Sequence, residues 1–197
     1  MKFFRIQLLL LMILVFSTAV LRAGDDLSSF DDQVKRWAIE CRTEVVDQFN
    51  LLLTSGQLSV PQLFDTFYIP IPKTDPQKFK TQYDDLSDGI VRPIVDKILG
   101  YNNRLVFVVI VDINGYLPTH NSRYSRPLTG NADENMKWNR TKRMFNDRTG
   151  LAAARNQKPY LLQRYSRDTG EIMSDLSVPI KIQNRHWGAV RIGYKQK

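Results

Sequence analysis

The segment RLVFVVIVDINGYLPTH, residues 104–120, constrains the fold more than any other stretch of the chain. Its first nine residues are β-branched, aromatic and almost continuously apolar, the pattern of a strand covered on both faces. A strand of that kind demands a layer above and a layer below. Asn114-Gly115 follows at once and is the strongest short signal for a hairpin, so YLPTH reads as a returning strand. The hairpin does not explain why Pro118, Thr119, His120 and Asn121 then stand together, or why they include one of only two histidines in the chain.

The remainder of this half is also strand-rich. Residues 121–135 are polar with turn residues Pro127, Gly130 and Asn131. MKWNRTKRMFNDRTG reads as a short basic helix ending at Gly150, and LAAARN as a second short turn of helix. PYLLQRYSRDTGEIMSDLSVPIKI contains a hairpin at Asp168-Thr169-Gly170, and RHWGAVRIGY is a last strand after the turn Gln183-Asn184-Arg185. The expected class is α+β: an antiparallel sheet with helices on one side, preceded by a long helix.

That long helix lies within residues 24–58. Phe30, Val34, Trp37, Cys41, Val45, Phe49 and Leu52 recur at three- and four-residue steps and form one apolar stripe. Ser28 or Ser29 caps its start and Gly56 ends it. The stripe either packs on the chain's own sheet or pairs with the same helix of a second subunit. A connector with Pro61, Pro70, Pro72 and Pro76 follows. Residues 78–99 then return to helix, broken into two pieces around Gly89 and Pro93.

Residues 1–23 have a basic start at Lys2 and Arg5, an apolar run from Leu8 to about Leu21, and small residues near its end. They read as a signal peptide or as an N-terminal membrane anchor, the run being slightly short for a span. Either reading places the rest outside the cytoplasm: periplasmic, or held at the inner membrane facing the periplasm. The one cysteine, Cys41, leaves an exported chain without an internal disulfide, so the fold stands on packing. On a helix it reads as a small buried hydrophobe, with an intersubunit disulfide as the lesser alternative.

The net charge of +8 is unevenly spread. Residues 24–101 hold 8 Lys and Arg against 13 Asp and Glu, whereas residues 102–197 hold 17 against 7. In an exported protein a basic half points away from nucleic acid and toward a small anion, an acidic protein surface or anionic headgroups.

Several motifs together, LFDTFYIPIPKTDP, VDINGYLPTHNSRYSRPLTG, NRTKRMFNDRTGLAAARN, LLQRYSRDTGEIMSDLSVPI and RHWGAVRIGY, resemble the extracytoplasmic sensor region of a group of bacterial methyl-accepting chemotaxis receptors. The resemblance spans about residues 60–194. It implies a PAS- or Cache-like sensor domain over residues 59–197: a long N-terminal helix on a five-stranded antiparallel sheet, a ligand pocket on one face, and a homodimer paired through the long helices. In such receptors a second membrane span and a cytoplasmic signalling part follow the sensor, whereas this chain stops three residues after Tyr194. The expectation is a stand-alone sensor that binds a small-molecule ligand and works with a membrane receptor partner. Its link to chemotaxis signalling is by association.

The candidate contacts come from the residues themselves. His120 and Asn121 either hydrogen-bond a ligand at the pocket rim or tie the following loop to the sheet. Arg140 and Arg143, three apart on the expected helix, offer guanidinium groups to a carboxylate, with pairing to Asp147 as the alternative. Gln163, Tyr165 and Arg167 face one way along their strand and Arg164 and Ser166 the other, so one set lines the pocket. Trp187 reads as core, with Gly188 giving it room, and is retained among the candidate contacts. No catalytic motif is present, so no enzyme is expected. A metal would need His120 and His186 with Asp112 or Asp175, and haem without covalent attachment is a remote cofactor alternative. The competing functional class is an interaction module that docks an acidic partner without any small ligand.

Overall fold

The computed structural model describes residues 27–166 and 172–196. The signal segment, Arg167 and the expected turn at Asp168-Thr169-Gly170 lie outside the described residues. Among the described residues no helix is long and apolar enough to cross a membrane.

Helix α1, Ser29–Thr54, begins with a reciprocal cap: Asp31 N–H donates to Ser28 Oγ and Ser28 N–H to Asp31 Oδ2, both at 3.1 Å. It ends where Gly56 takes φ +71°. Val34, Ala38, Cys41, Val45, Phe49 and Leu52 are buried along one face, the four-residue repeat of a core-facing stripe. The stripe packs on the chain's own sheet, and the outward row is mixed: Arg36, Ile39, Thr43, Asp47 and Leu51. Burial drives the Cys41 thiol up to about 12, which makes it an inert core group inaccessible to a partner chain.

The connector forms a short helix α2 (Val60–Leu63) and a two-stranded ribbon of β1 (Ile69–Ile71) and β2 (Lys78–Lys80). The expected helix over 78–99 therefore starts late. Phe79 N–H is held by Lys142 O at 2.9 Å, and Asp84 accepts from both Thr81 N–H and Thr81 Oγ–H. Helix α3, Asp84–Leu99, then runs unbroken through Pro93. The bond that Pro93 removes frees the carbonyl of Gly89, and both residues are exposed, so the cost is small.

The main sheet is built from β3 (Leu105–Asp112), β6 (Leu161–Ser166), β7 (Ile172–Ile182) and β8 (Arg185–Lys195), all antiparallel in the order β3-β8-β7-β6. Gln183 and Asn184, both at positive φ, make the tight β7–β8 turn. The sheet has four strands where five are expected. Asn114-Gly115 does turn the chain, but β4 (Tyr116–Leu117) leaves β3 and pairs with β5 (Arg143–Met144). The side chain of Asp112 is the cause: its Oδ1 accepts from Asn114 N–H and Tyr116 N–H, each at 2.9 Å, and curls the turn away from the ladder.

Alternation then separates two faces. Val108, Ile110, Leu176, Val178, Val190 and Ile192 meet α1 and α3 in the main core. Phe107, Val109, Val111 and Ala189 point the other way and carry a smaller cluster with Leu117 and Phe145. Helices α4 (Ala132–Trp138) and α5 (Arg148–Ala154) belong to this second side, so the helices are not all on one side as expected. Glycine opens both approaches. A Cβ on Gly193 would lie 2.1 Å from the Phe107 ring, and one on Gly188 would lie 2.0 Å from Val111 O. Gly188 thus makes room for the β3 backbone, not for Trp187.

Asp31 locks α1 to the end of the sheet. It is fully buried, accepts from the Tyr194 hydroxyl, and pairs with Arg164 at 2.8 Å. Burial alone would raise its pKa, but the hydrogen bonds from Tyr194 and Ser28 and the Arg164 charge outweigh it and hold the carboxyl below the ordinary aspartate value. Asp31→Ala is expected to lower stability by about 2–4 kcal/mol in urea unfolding. Because the folded pKa is depressed, the advantage of the wild type is full above about pH 4 and shrinks as pH falls through the folded value. An unchanged midpoint at pH 7 would rule this lock out.

Candidate functional site

The second face of the sheet is the site. Phe107, Gly193, Asp175 and Gln163 lie directly opposite one another across the four strands, and Val109, Arg191 and Ser177 form the next row. From that neighbouring row Arg191 reaches diagonally to Asp175, with Nε 3.2 Å from Oδ2 and Nη2 closing a second contact to the same oxygen. Both side chains are buried. Burial alone would depress the arginine, but the Asp175 charge and hydrogen bonds overcome it and raise the guanidinium above its ordinary value. The floor is therefore polar but internally neutralised.

The walls come from segments that helical periodicity misreads. Residues 139–145 are not helical: a turn at Thr141 and Lys142 separates the bridge at Asn139 from β5. Arg140 N–H donates to Tyr124 O at 2.7 Å, Lys142 N–H to Leu117 O at 2.8 Å and Phe145 N–H to Gly115 O at 2.8 Å. These bonds satisfy the backbone across the fold, which local helix cannot match for a stretch with Lys142 at φ +58°. Gly150 does not end a helix either. It lies in α5, whose start is capped by Asp147 Oδ1 accepting from Thr149 and Gly150 N–H. Gln163 Nε2 donates to Thr149 O at 3.0 Å and pins α5 over the sheet.

Between floor and walls are two adjoining cavities of about 320 and 370 Å³. Phe107, His120, Arg140 and Tyr165 line both. The first lobe adds Phe145, Asp147 and Arg191, and the second adds Tyr124, Lys137 and Trp138. Volumes in this range suit small organic ligands.

His120 is buried, with its ring 4.9 Å from Tyr124 and 6.4 Å from Phe107. Its Nδ1 accepts from Asn121 N–H at 2.8 Å. Burial first, then the charges of Arg140 and Arg143, hold its pKa well below the ordinary histidine value. The ring is thus neutral at pH 7, and with Nδ1 accepting, Nε2 carries the proton and is a donor. Arg143 is itself pushed down to about 10 by burial and by Arg140.

Of the candidate contacts, His120, Arg140 and Tyr165 meet at the cavity. Asn121 does not: its Oδ1 accepts from Val108 N–H at 2.8 Å and its Nδ2 donates to Asp96 at 3.3 Å, so it ties the loop to the sheet edge and to α3. Arg143 stands behind the wall, with its guanidinium on Met136 O and the face of Phe145. Gln163 is spent on α5. Trp187 is on the opposite face, its indole N–H donating to Leu63 O at 2.8 Å between Phe49 and Tyr83. Tyr165 turns toward the cavity and Arg164 toward α1, which resolves the two faces of that strand. Phe107, Tyr124, Trp138 and Arg191 were missed. Arg191 and Asp175 each interrupt an apolar strand at an inward position, and that shared anomaly was the available signal. Among the described residues no group of three or more His, Cys, Asp or Glu side chains could hold a metal ion.

Fold and site together define an α+β domain with a helix layer on one face of its sheet and a cavity on the other. No protein-family model matches the sequence, and no curated protein matches it. Among solved structures, the chain is similar to an extracellular ligand binding receptor from Desulfohalobium retbaense, at 14% identity and a TM-score of 0.38, over 86% of this chain and 26% of that one. It is also similar to the ligand-binding domain of the Pseudomonas aeruginosa amino acid chemoreceptor PctC, solved with GABA, at 12% identity and a TM-score of 0.33, over 84% of this chain and 61% of that one. The chain spans less than two thirds of either structure. Overlaps of this extent carry no argument about ligand or activity, which rests on the chemistry of the cavity.

Two variants separate the roles of the adjacent polar pair. Asn121→Ala is expected to cost about 2 kcal/mol of stability, because the buried Val108 N–H loses its acceptor. His120 is expected to stay neutral with its proton on Nε2 until well below the ordinary histidine range, as read from imidazole nitrogen shifts. Since its folded pKa is depressed, stability is full above the unfolded value of about 6.5 and falls as pH drops below it, and His120→Gln removes that slope. A ring titrating near pH 6.5 would contradict the assignment.

Proposed function

We propose that this chain is an extracytoplasmic sensor module that binds a small anion in the cavity on the second face of its sheet. The observation that carries the reading is the wall shared by both lobes, which is lined by Arg140, a neutral, donor His120 and Tyr165. Arg191, paired with Asp175, adds no net charge to the first lobe, and Asp147, the acidic side chain on these walls among the described residues, has its Oδ1 engaged at the cap of α5. Hydrogen-bond donors and positive charge around an apolar, partly closed cavity favour a carboxylate or similar oxyanion.

The motif resemblance supports a place in chemotaxis-type signal transduction, on the periplasmic side of the membrane and alongside a receptor. A homodimer through α1 would use its outward row, since the apolar stripe is occupied by the sheet. Light scattering at high concentration tests that pairing, and a monomer would reject it.

A thermal-shift screen of the purified protein against acetate, succinate, phosphate, simple amines and neutral amides tests the ligand class. A ligand at a hundred times its dissociation constant adds about 2.7 kcal/mol, which is readily seen. Anions are expected to stabilise, and Arg140→Gln to weaken the best of them at least tenfold. Stabilisation by amines alone, or by nothing, would overturn the proposal and favour the acidic-partner module.

A further inference from the structure

The two lobes differ in what lies beyond their common wall, and this difference names the ligand more narrowly. Residues 124–126 and 138–140 run side by side. Arg140 N–H donates to Tyr124 O at 2.7 Å, Arg126 N–H donates to Trp138 O at 3.2 Å, and Ser125 bridges Asn139. This short ladder holds the Tyr124 and Trp138 rings stacked at 6.0 Å and 16°, and places Arg140, which lines both lobes, with its guanidinium 5.2 Å from the centre of the Phe145 ring. The His120 ring lies 4.9 Å from that of Tyr124, and the Arg126 guanidinium lies 4.1 Å from the centre of the Trp138 ring. One piece of backbone thus presents a flat aromatic wall and a cation in fixed register.

The second lobe, beyond the shared wall, is lined among the described residues by Val106, Tyr124, Trp138 and Met173, with Lys137 at its side. A planar, electron-rich tail finds aromatic side chains, a polarizable sulfur and a lysine. The acidic Asp147 belongs to the first lobe, and its Oδ1 is committed to the N–H groups of Thr149 and Gly150.

We propose that the cavity takes an aromatic carboxylate, with the carboxylate at the wall formed by His120, Arg140 and Tyr165 and the ring in the lobe beside Tyr124 and Trp138. This rests on the anion-binding reading above and adds the chemistry of the rest of the ligand. Burial of the head against N–H and O–H donors supplies orientation, and ring contact supplies discrimination among acids.

Calorimetric titration of the purified protein with phenylacetate and indole-3-acetate is the test, against acetate, cyclohexanecarboxylate and neutral indole. The aromatic acids are expected to bind at least tenfold more tightly than acetate and severalfold more tightly than cyclohexanecarboxylate. Trp138→Leu is expected to remove that gain and leave acetate unaffected, while Trp138→Phe restores most of it. Acetate binding as tightly as the aromatic acids, or Trp138→Leu leaving the ranking intact, would overturn the ring assignment with anion binding still standing. Indole matching indole-3-acetate would overturn the placement of the head. Binding by no carboxylate at all would bring down both readings together.

Discussion

The burial of one helix stripe on one face of the sheet is the constraint on which the rest depends. Without a disulfide, the chain draws its stability from packing, and Val34, Ala38, Cys41, Val45, Phe49 and Leu52 provide the largest continuous contact with β7 and α3. Each large side chain in such a contact contributes about 2–5 kcal/mol by comparison with its truncation. With that face fully occupied by α1 and α3, the opposite face is covered by short elements only. Short elements leave gaps, and the gap is the cavity.

The second face is held by polar bonds more than by apolar area. Asp112 turns β4 away from β3, Asn121 covers the exposed edge of β3, and the backbone of 139–145 is claimed by Tyr124, Leu117 and Gly115. Each bond satisfies a group that would otherwise be buried without a partner. Together they carry His120, Arg140 and the Tyr124–Trp138 pair to one place, although these residues come from separate segments. The buried Asp175–Arg191 pair gives the floor charge without net charge, so the excess positive character of the cavity belongs to Arg140 and its neighbours. Strand β6 joins the two faces: Tyr165 looks into the cavity while the adjacent Arg164 grips Asp31 at the start of α1.

Where the chain misled, the reason was a local signal overruled by a distant one. The basic run around Arg140 has acceptable helix propensity, yet its N–H groups find better acceptors across the fold. Asn114-Gly115 makes its turn, yet a carboxylate two residues earlier takes the N–H groups that a hairpin ladder needs. Asn121 has the polarity of a ligand contact but serves a strand edge. Trp187 reads as core from the glycine beside it on a strand, and it is core, although Gly188 makes room for the β3 backbone instead.

The sequence by itself determined the α+β class, the α1 stripe with a serine cap at its start, the β7–β8 turn and the buried character of β3, because each follows from periodicity or from the backbone preference of a few adjacent residues. Only the tertiary structure decided which strand face lines the cavity, how the hairpin splits, and which of the polar residues after Pro118 lines the cavity. Those outcomes depend on hydrogen-bond partners and charges 13 to 133 residues away, and no local pattern encodes the competition between them.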